Sequence, residues 1–354
     1  VTSSGMRALS SKTKKMVRPG RKPEFHSLFF IALAFFFSSC GGDGAEKPKT
    51  QSTSSKPSVQ VPVFNADSAY AYVKQQVEFG PRVPNTAAHQ QCGDWFVNRL
   101  SEWADTVMVQ SFQVRAFDGK MLNGRNIVAA FHPELGNRIM LFAHWDTRPF
   151  ADMDDADKNK PIQGANDGGS GVGVLMEVAR QINLNDPGIG IDIILFDVED
   201  YGQPDDSPLP RMEDSYCLGS QYWSNTPHVR NYTAQYGILL DMVGGRQLRF
   251  TQEGTSMQYA PYVVDKVWKV AAATGFGEYF LFERTKPIID DHYYVNRIAR
   301  IPSIDLIHYD HSTDSKFWKH WHTQDDSMEN IDANSLRVSG QVLLELLYRE
   351  AAGI

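Results

Sequence analysis

The chain has 354 residues, room for one large α/β domain plus an extension, and its 42% hydrophobic and 22% charged residues exclude both a disordered polymer and a membrane bundle. Its net charge of −7 divides into +6 over residues 1–39 and −13 from Cys40 onward, which argues against a nucleic-acid partner. Three cysteines are too few for a disulfide scaffold and lack metal-site spacing; Cys92 and Cys217 are the pair that an oxidising compartment would allow to join.

In chain order, basic residues from Lys14 to Lys22 precede the apolar run Leu28 to Phe37 and then Ser38-Ser39-Cys40-Gly41. About ten apolar residues fall short of the roughly 20 that span a bilayer, so residues 1–39 are expected to be an export signal. Small residues before Cys40 resemble a bacterial lipoprotein box, which implies a periplasmic protein of the bacterial cell envelope, lipid-anchored to the membrane through Cys40. Residues 40–60, rich in Gly, Pro and Ser, read as the flexible tether, and 61–354 as the catalytic domain.

Within that domain, 66–79 and 86–104 have helical spacing, and 107–117 and 125–131 read as strands. Short apolar runs at 138–143, 191–196 and 236–240 predict buried strands, with a helix over 171–182 between the first two. Segment 256–274 is expected to be one helix and 301–307 a central strand. A C-terminal helix over 333–351 should bury Leu336, Val342, Leu343 and Leu346. Strands alternating with helices predict a single α/β/α sandwich around a mixed, mostly parallel twisted sheet, with a metal site at the carboxyl ends of its strands.

The chemistry-bearing residues follow those strands: His144-Trp145-Asp146, then Asn166-Asp167-Gly168-Gly169, Asp197-Val198-Glu199-Asp200 and Asp241-Met242-Val243-Gly244, with Trp321-His322 late in the chain. Imidazole and carboxylates from separate strand ends can make a three-ligand zinc site with an open fourth position, the catalytic pattern. Each piece also has a plainer reading. Asp167 could cap a helix, His144 could be a satisfied core histidine, and Asp290-Asp291 could belong to a loop. The acidic stretches 151–158 and 205–214 read as solvated loops. Adjacent Glu199 and Asp200 at the end of so apolar a strand repel each other and call for a cation. Gly169-Ser170-Gly171 fits neither a dinucleotide fingerprint nor a nucleophile elbow.

In combination and order, these motifs resemble the M28 metallopeptidase superfamily over roughly residues 65–350. Within it the chain is more similar to type II glutaminyl cyclases, and to a bacterial branch of them. Trp321-His322-Thr-x-Asp-Asp326, Asp290-Asp291-His292 and the insertion 201–217 carry that closer likeness. The resemblance implies an enzyme with one Zn2+ per chain that converts N-terminal glutamine of peptides or proteins to pyroglutamate, and a monomer is expected. Asp167, Asp200 and His322 would be the metal ligands and Glu199 the proton shuttle. Asp241 and Asp290 would be the supporting acids, and Trp321 a wall of the substrate pocket. His144 and Asp241 match the second-metal ligands of the superfamily's peptidases, so a two-zinc aminopeptidase is the alternative. Trp145, Phe317 and Ile288 are the further candidates for an apolar rim. The chain departs from the animal cyclases at Asp200, where they have glutamate, and at Ile289, where they have glutamine. Ala143 and Val172 stand at the positions of their active-site disulfide.

Overall fold

The computed structural model describes residues 59–354 and the backbone of Met16–Val17. The expected lipid-bearing Cys40, nearly all of the expected signal and most of the tether lie outside the described residues. Strand β1 (Met16–Val17) pairs antiparallel with the start of β2 (Thr106–Arg115), which forms a long antiparallel ladder with β3 (Met121–Phe131). β3 in turn lies antiparallel to β5 (Gly190–Phe196), and from there β5, β4 (Arg138–His144), β6 (Tyr236–Asp241) and β9 (Ser303–Ile307) run parallel to one another. The order β1-β2-β3-β5-β4-β6-β9 makes one mixed sheet, and β7 (Phe250–Gln252) with β8 (Phe280–Arg284) forms a separate parallel ribbon.

β4, β5, β6 and β9 are buried along their whole length because both faces of the sheet are covered. Alternate residues such as Leu141, Ile193, Leu240 and Leu306 point into the larger core. That core is closed by α1 (Ala66–Glu78), α2 (Ala87–Ser101), α3 (Ser170–Leu184), α6 (Pro261–Ala273) and α8 (Ala333–Ala352). The intervening Met140, Phe142, Ile194 and Leu239 meet Trp223 of α4 (Leu218–Asn225) and Val295 on the other face. Leu336, Val342, Leu343 and Leu346 of α8 are all buried, as their spacing predicts. Helix ends are fixed by local chemistry: Asn65 and Thr86 accept from Ser68 N and His89 N, and Gly353 closes α8 in the left-handed conformation.

Two expectations about elements need correction. Segment 256–274 is not one helix but α5 (Gly254–Tyr259) and α6, parted at Ala260, because Pro261 has no N–H to donate and its ring disfavours a helical residue before it. The strand expected over 301–307 begins only at Ser303, after Pro302, and stands at the edge of the sheet. It reads as central because all five of its residues are buried, and at this edge Asp305 N donates to Ser256 Oγ of α5 at 2.9 Å.

The chain leaves β4 for β5 on one side and then crosses to β6 on the other. A crevice therefore opens at the carboxyl end of β4, the switch point where ligands of open α/β sheets bind. Helix α3 packs closely beneath it. A Cβ on Gly171 would lie 2.3 Å from the Leu240 carbonyl oxygen and 3.0 Å from Ala143 Cβ. Gly171→Ala is expected to lower unfolding free energy by about 1–3 kcal/mol through overpacking. Urea denaturation checks this, and an unchanged midpoint would contradict so close a contact.

Candidate active site

Three strand ends supply the site. His144 closes β4, Asp241 closes β6, and Glu199 and Asp200 follow β5 after Val198, a β-branched residue at φ 58°. Such a backbone is costly unless its surroundings fix it. The Asp146 carboxylate does so by accepting from Glu199 N at 2.9 Å and Asp200 N at 3.2 Å. The Asp167 turn is held likewise. Asp326 accepts from Asn166 N and Asp167 N at 2.7 and 3.1 Å, while Asn166 Oδ1 and Ser170 Oγ accept from Gly244 N and Val243 N beyond β6. Gly168 has φ 79°, and a Cβ there would meet the Asp146 carbonyl oxygen at 2.4 Å, so this turn admits only glycine without strain.

These turns bring the predicted residues together. Asp167, Asp200 and His322 are all buried, and one potential ligand atom from each lies within 4.8 Å of the other two. His322 Nε2 is 3.2 Å from Asp200 Oδ1 and 3.7 Å from Asp167 Oδ2. His144, Asp167 and Asp241 form a second such group, with His144 Nε2 at 3.1 Å from Asp167 Oδ1 and 3.4 Å from Asp241 Oδ1. The plainer readings fail for two of them. Asp167 does not cap α3, whose N-cap is Gly169 with no side-chain bond, and His144 Nδ1 has no hydrogen-bond partner among the described residues. Asp290 does cap a short helix, α7 (Asp291–Tyr294), and remains buried beside the site.

The donor set fits zinc. Asp167 Oδ2 and Asp200 Oδ2 are buried without a hydrogen-bond partner among the described residues, a costly state for carboxylates unless a cation takes it up. Two carboxylates and one imidazole are ligands that catalytic zinc accepts, with room left for substrate. Burial drives Glu199 well above the usual carboxylate range, aided by Asp200, Asp290 and Asp291, although His144 opposes it. Burial likewise pushes Asp241 up to about 7, with Asp167 and Asp290 adding to it.

Trp321 stacks on His322 with ring centroids 3.8 Å apart, and Phe317 lies 4.8 Å from Trp321. Ile288 packs with both against Met242, Ile307 and Trp318, so these three form one half-buried apolar wall. Trp145 is not part of it. It is fully buried in the main core, stacked on His89 at 4.3 Å and edge-on to Phe96.

Sequence reasoning missed several residues. The stretch 151–158 is not simply a solvated loop, because Asp152 is paired with the buried Arg148 and lies 3.1 Å from His322 Nδ1. Arg148, four residues beyond the end of β4, was the available signal, since a buried guanidinium requires carboxylates. Asp214 of the other acidic stretch accepts from Tyr294 Oη at 2.8 Å, while Asp205 is fully exposed. Cys92 and Cys217 do not pair: both are free and buried. Cys217 instead donates to Glu199 Oε1 at 3.3 Å, and its backbone N–H donates to the Glu199 carbonyl at 2.9 Å.

Comparison with known proteins places this geometry. The sequence pattern of Peptidase family M28 matches residues 126–347. Glutaminyl-peptide cyclotransferase of Bos taurus is 24% identical over 308 residues, covering 75% of this chain and 77% of that protein. The match to the Escherichia coli protein YfbL, 30% identical over 131 residues, spans only 40% of that relative's length and 36% of this chain. Among solved structures, a Zn-dependent exopeptidase from Parabacteroides distasonis is 52% identical with a TM-score of 0.80, covering 82% of this chain and 99% of its own. A Bacteroides thetaiotaomicron glutaminyl cyclase bound to N-acetylhistamine is 50% identical with the same TM-score and the same coverage. The strands from β4 to β9 and every residue of the two ligand groups fall inside the matched span, and on that ground the chain belongs to peptidase family M28.

Proposed function

We propose that this chain is a zinc-dependent glutaminyl-peptide cyclotransferase that closes N-terminal glutamine to pyroglutamate and releases ammonia. The observation that carries the reading is the buried Asp167–Asp200–His322 group with its apolar wall of Trp321, Phe317 and Ile288 stacked against one of the ligands. The likeness to glutaminyl cyclases at about half identity over nearly their whole length supports it.

One zinc held by Asp167, Asp200 and His322 would polarise the substrate's γ-carboxamide carbonyl and stabilise the negative charge that develops there. The reaction needs no water. The neutral α-amine of the glutamine forms a bond to its own side-chain carbonyl carbon, and the carbon–nitrogen bond to the amide nitrogen breaks, an intramolecular step that gains from proximity. Glu199, held by Cys217 Sγ and by the turn at Val198, takes the proton from the attacking amine and returns it to the departing ammonia. Asp241 and Asp290 share a proton and hold the leaving nitrogen. Trp321, Phe317 and Ile288 form a surface that tolerates varied second residues. The protein acts as a monomer in the periplasm on peptides and proteins with N-terminal glutamine, tethered through a lipid on Cys40.

His144, Asp167 and Asp241 form the second ligand group that a two-zinc aminopeptidase would use, so metal count and product separate the readings. Incubation with Gln-Ala and Leu-Ala is expected to release ammonia from the first and no free leucine from the second. The purified protein is expected to hold one zinc per chain by elemental analysis. Two zincs with leucine release would mean the aminopeptidase instead.

Glu199→Gln is expected to lower kcat by on the order of 10² or more while zinc content stays at the wild-type level. Retention of more than about a tenth of the turnover would remove Glu199 from the proton path. Trp321→Ala is expected to raise KM more than it lowers kcat, because the wall binds ground state and transition state alike. An unchanged KM would show that the substrate lies elsewhere.

A further inference from the structure

A neutral imidazole that ligates through Nε2 keeps its proton on Nδ1, and that buried N–H needs an acceptor to fix the ring. His322 presents Nε2 to Asp200 and Asp167, and its buried Nδ1 lies 3.1 Å from Asp152 Oδ1, at ion-pair distance but not aligned as a hydrogen bond and with no other acceptor among the described residues. Asp152 is itself gripped by a two-pronged contact: Arg148 Nε donates to Oδ1 and Nη2 to Oδ2, both at 2.7 Å. The third nitrogen, Nη1, donates to the Asp200 carbonyl oxygen at 3.0 Å and to Asp200 Oδ1 at 3.3 Å. The guanidinium is fully buried, with its carbon 4.6 Å from the Phe150 ring centre and 5.2 Å from that of Tyr216. It therefore cannot turn to water for partners. The loop is also stitched to the histidine's own segment, with Met153 N donating to the His322 carbonyl at 3.2 Å and Gln324 N to Asp154 Oδ2 at 2.9 Å. His322 sits at φ 57°, a conformation that such bonds must hold in place.

We propose that Asp152, clamped by Arg148, is the positioning residue of the zinc ligand His322, and that Arg148 links this ligand to Asp200 through one guanidinium. The inference rests on the reading in which His322 binds zinc. A dication at the site draws on the charge of Asp200, and Asp152 is then the carboxylate that keeps Arg148 paired. The arrangement suits a ligand aspartate, whose short side chain Arg148 holds from behind.

The test is zinc affinity of the full-length chain by competition with a chromophoric chelator, with thermal melting of the apo and zinc-loaded forms alongside. Asp152→Ala is expected to weaken zinc binding about 10–100-fold, and Asp152→Asn, which keeps the size and one acceptor oxygen, by less. If Asp152→Ala does not fold, Asp152→Asn carries the same test through a measurable rise in Kd. Unchanged zinc affinity in both variants, with apo and zinc-loaded melting temperatures lowered equally, would reduce Asp152 to a structural ion pair and overturn the proposal. Wild-type protein that binds no zinc, or whose binding is untouched by His322→Ala, would overturn the ligand assignment and the proposed function with it.

Discussion

Buried negative charge at the carboxyl ends of β4, β5 and β6 is the constraint on which the rest of the site depends. Asp167, Glu199, Asp200, Asp241 and Asp290 converge where water has little access, and burial is the largest of the effects acting on each of them. Carboxylates in such a place either take up protons or are met by cations. His144, His322 and Arg148 meet part of this charge, and the proposed zinc would meet more. In the proposed function this balance would let one fold position serve both a Lewis acid and a proton-carrying glutamate: Asp200 and Asp167 would face the cation, while Glu199, which lies against Cys217, would accept the proton.

Holding that charge in one geometry is the work of a layer of buried side chains behind the two ligand groups. Val198, Met242 and His322 all adopt positive φ where the chain turns into the site. Asp146 and Asp326 accept from the backbone N–H groups of two of the neighbouring turns, and Asn166 and Ser170 tie the Asp167 turn to the end of β6. Strain of this kind persists only where bonds over-determine it. The glycines beneath serve the same end, since Gly168 and Gly171 allow His144 and β6 to come within contact of the Asp167 turn and α3.

The parallel strands were legible because a strand buried on both faces must be apolar throughout, and the helices because their apolar stripe recurs with the helical period. The same logic misjudged β9, whose apolar residues mark burial and not a central place in the sheet. It also misassigned Trp145, because a tryptophan beside a candidate ligand gives no hint of which face of the strand it takes. The acidic stretch 151–158 read as solvated because composition reports charge and not partners. Asp152 finds its partner four residues away in Arg148 and another in His322, far along the chain.

The sequence by itself determined the alternation of strands and helices and the residue types that could bind a metal, because both are written in local spacing and in chemistry that each motif carries alone. Only the tertiary structure decided which carboxylates share a site, which histidine nitrogen faces them, that Cys92 and Cys217 stay apart, and that a single arginine stands behind two of the candidate ligands. These are relations between residues tens to hundreds of positions apart. They are fixed by strand order and by the bonds that hold each turn, and no local pattern in the chain encodes either.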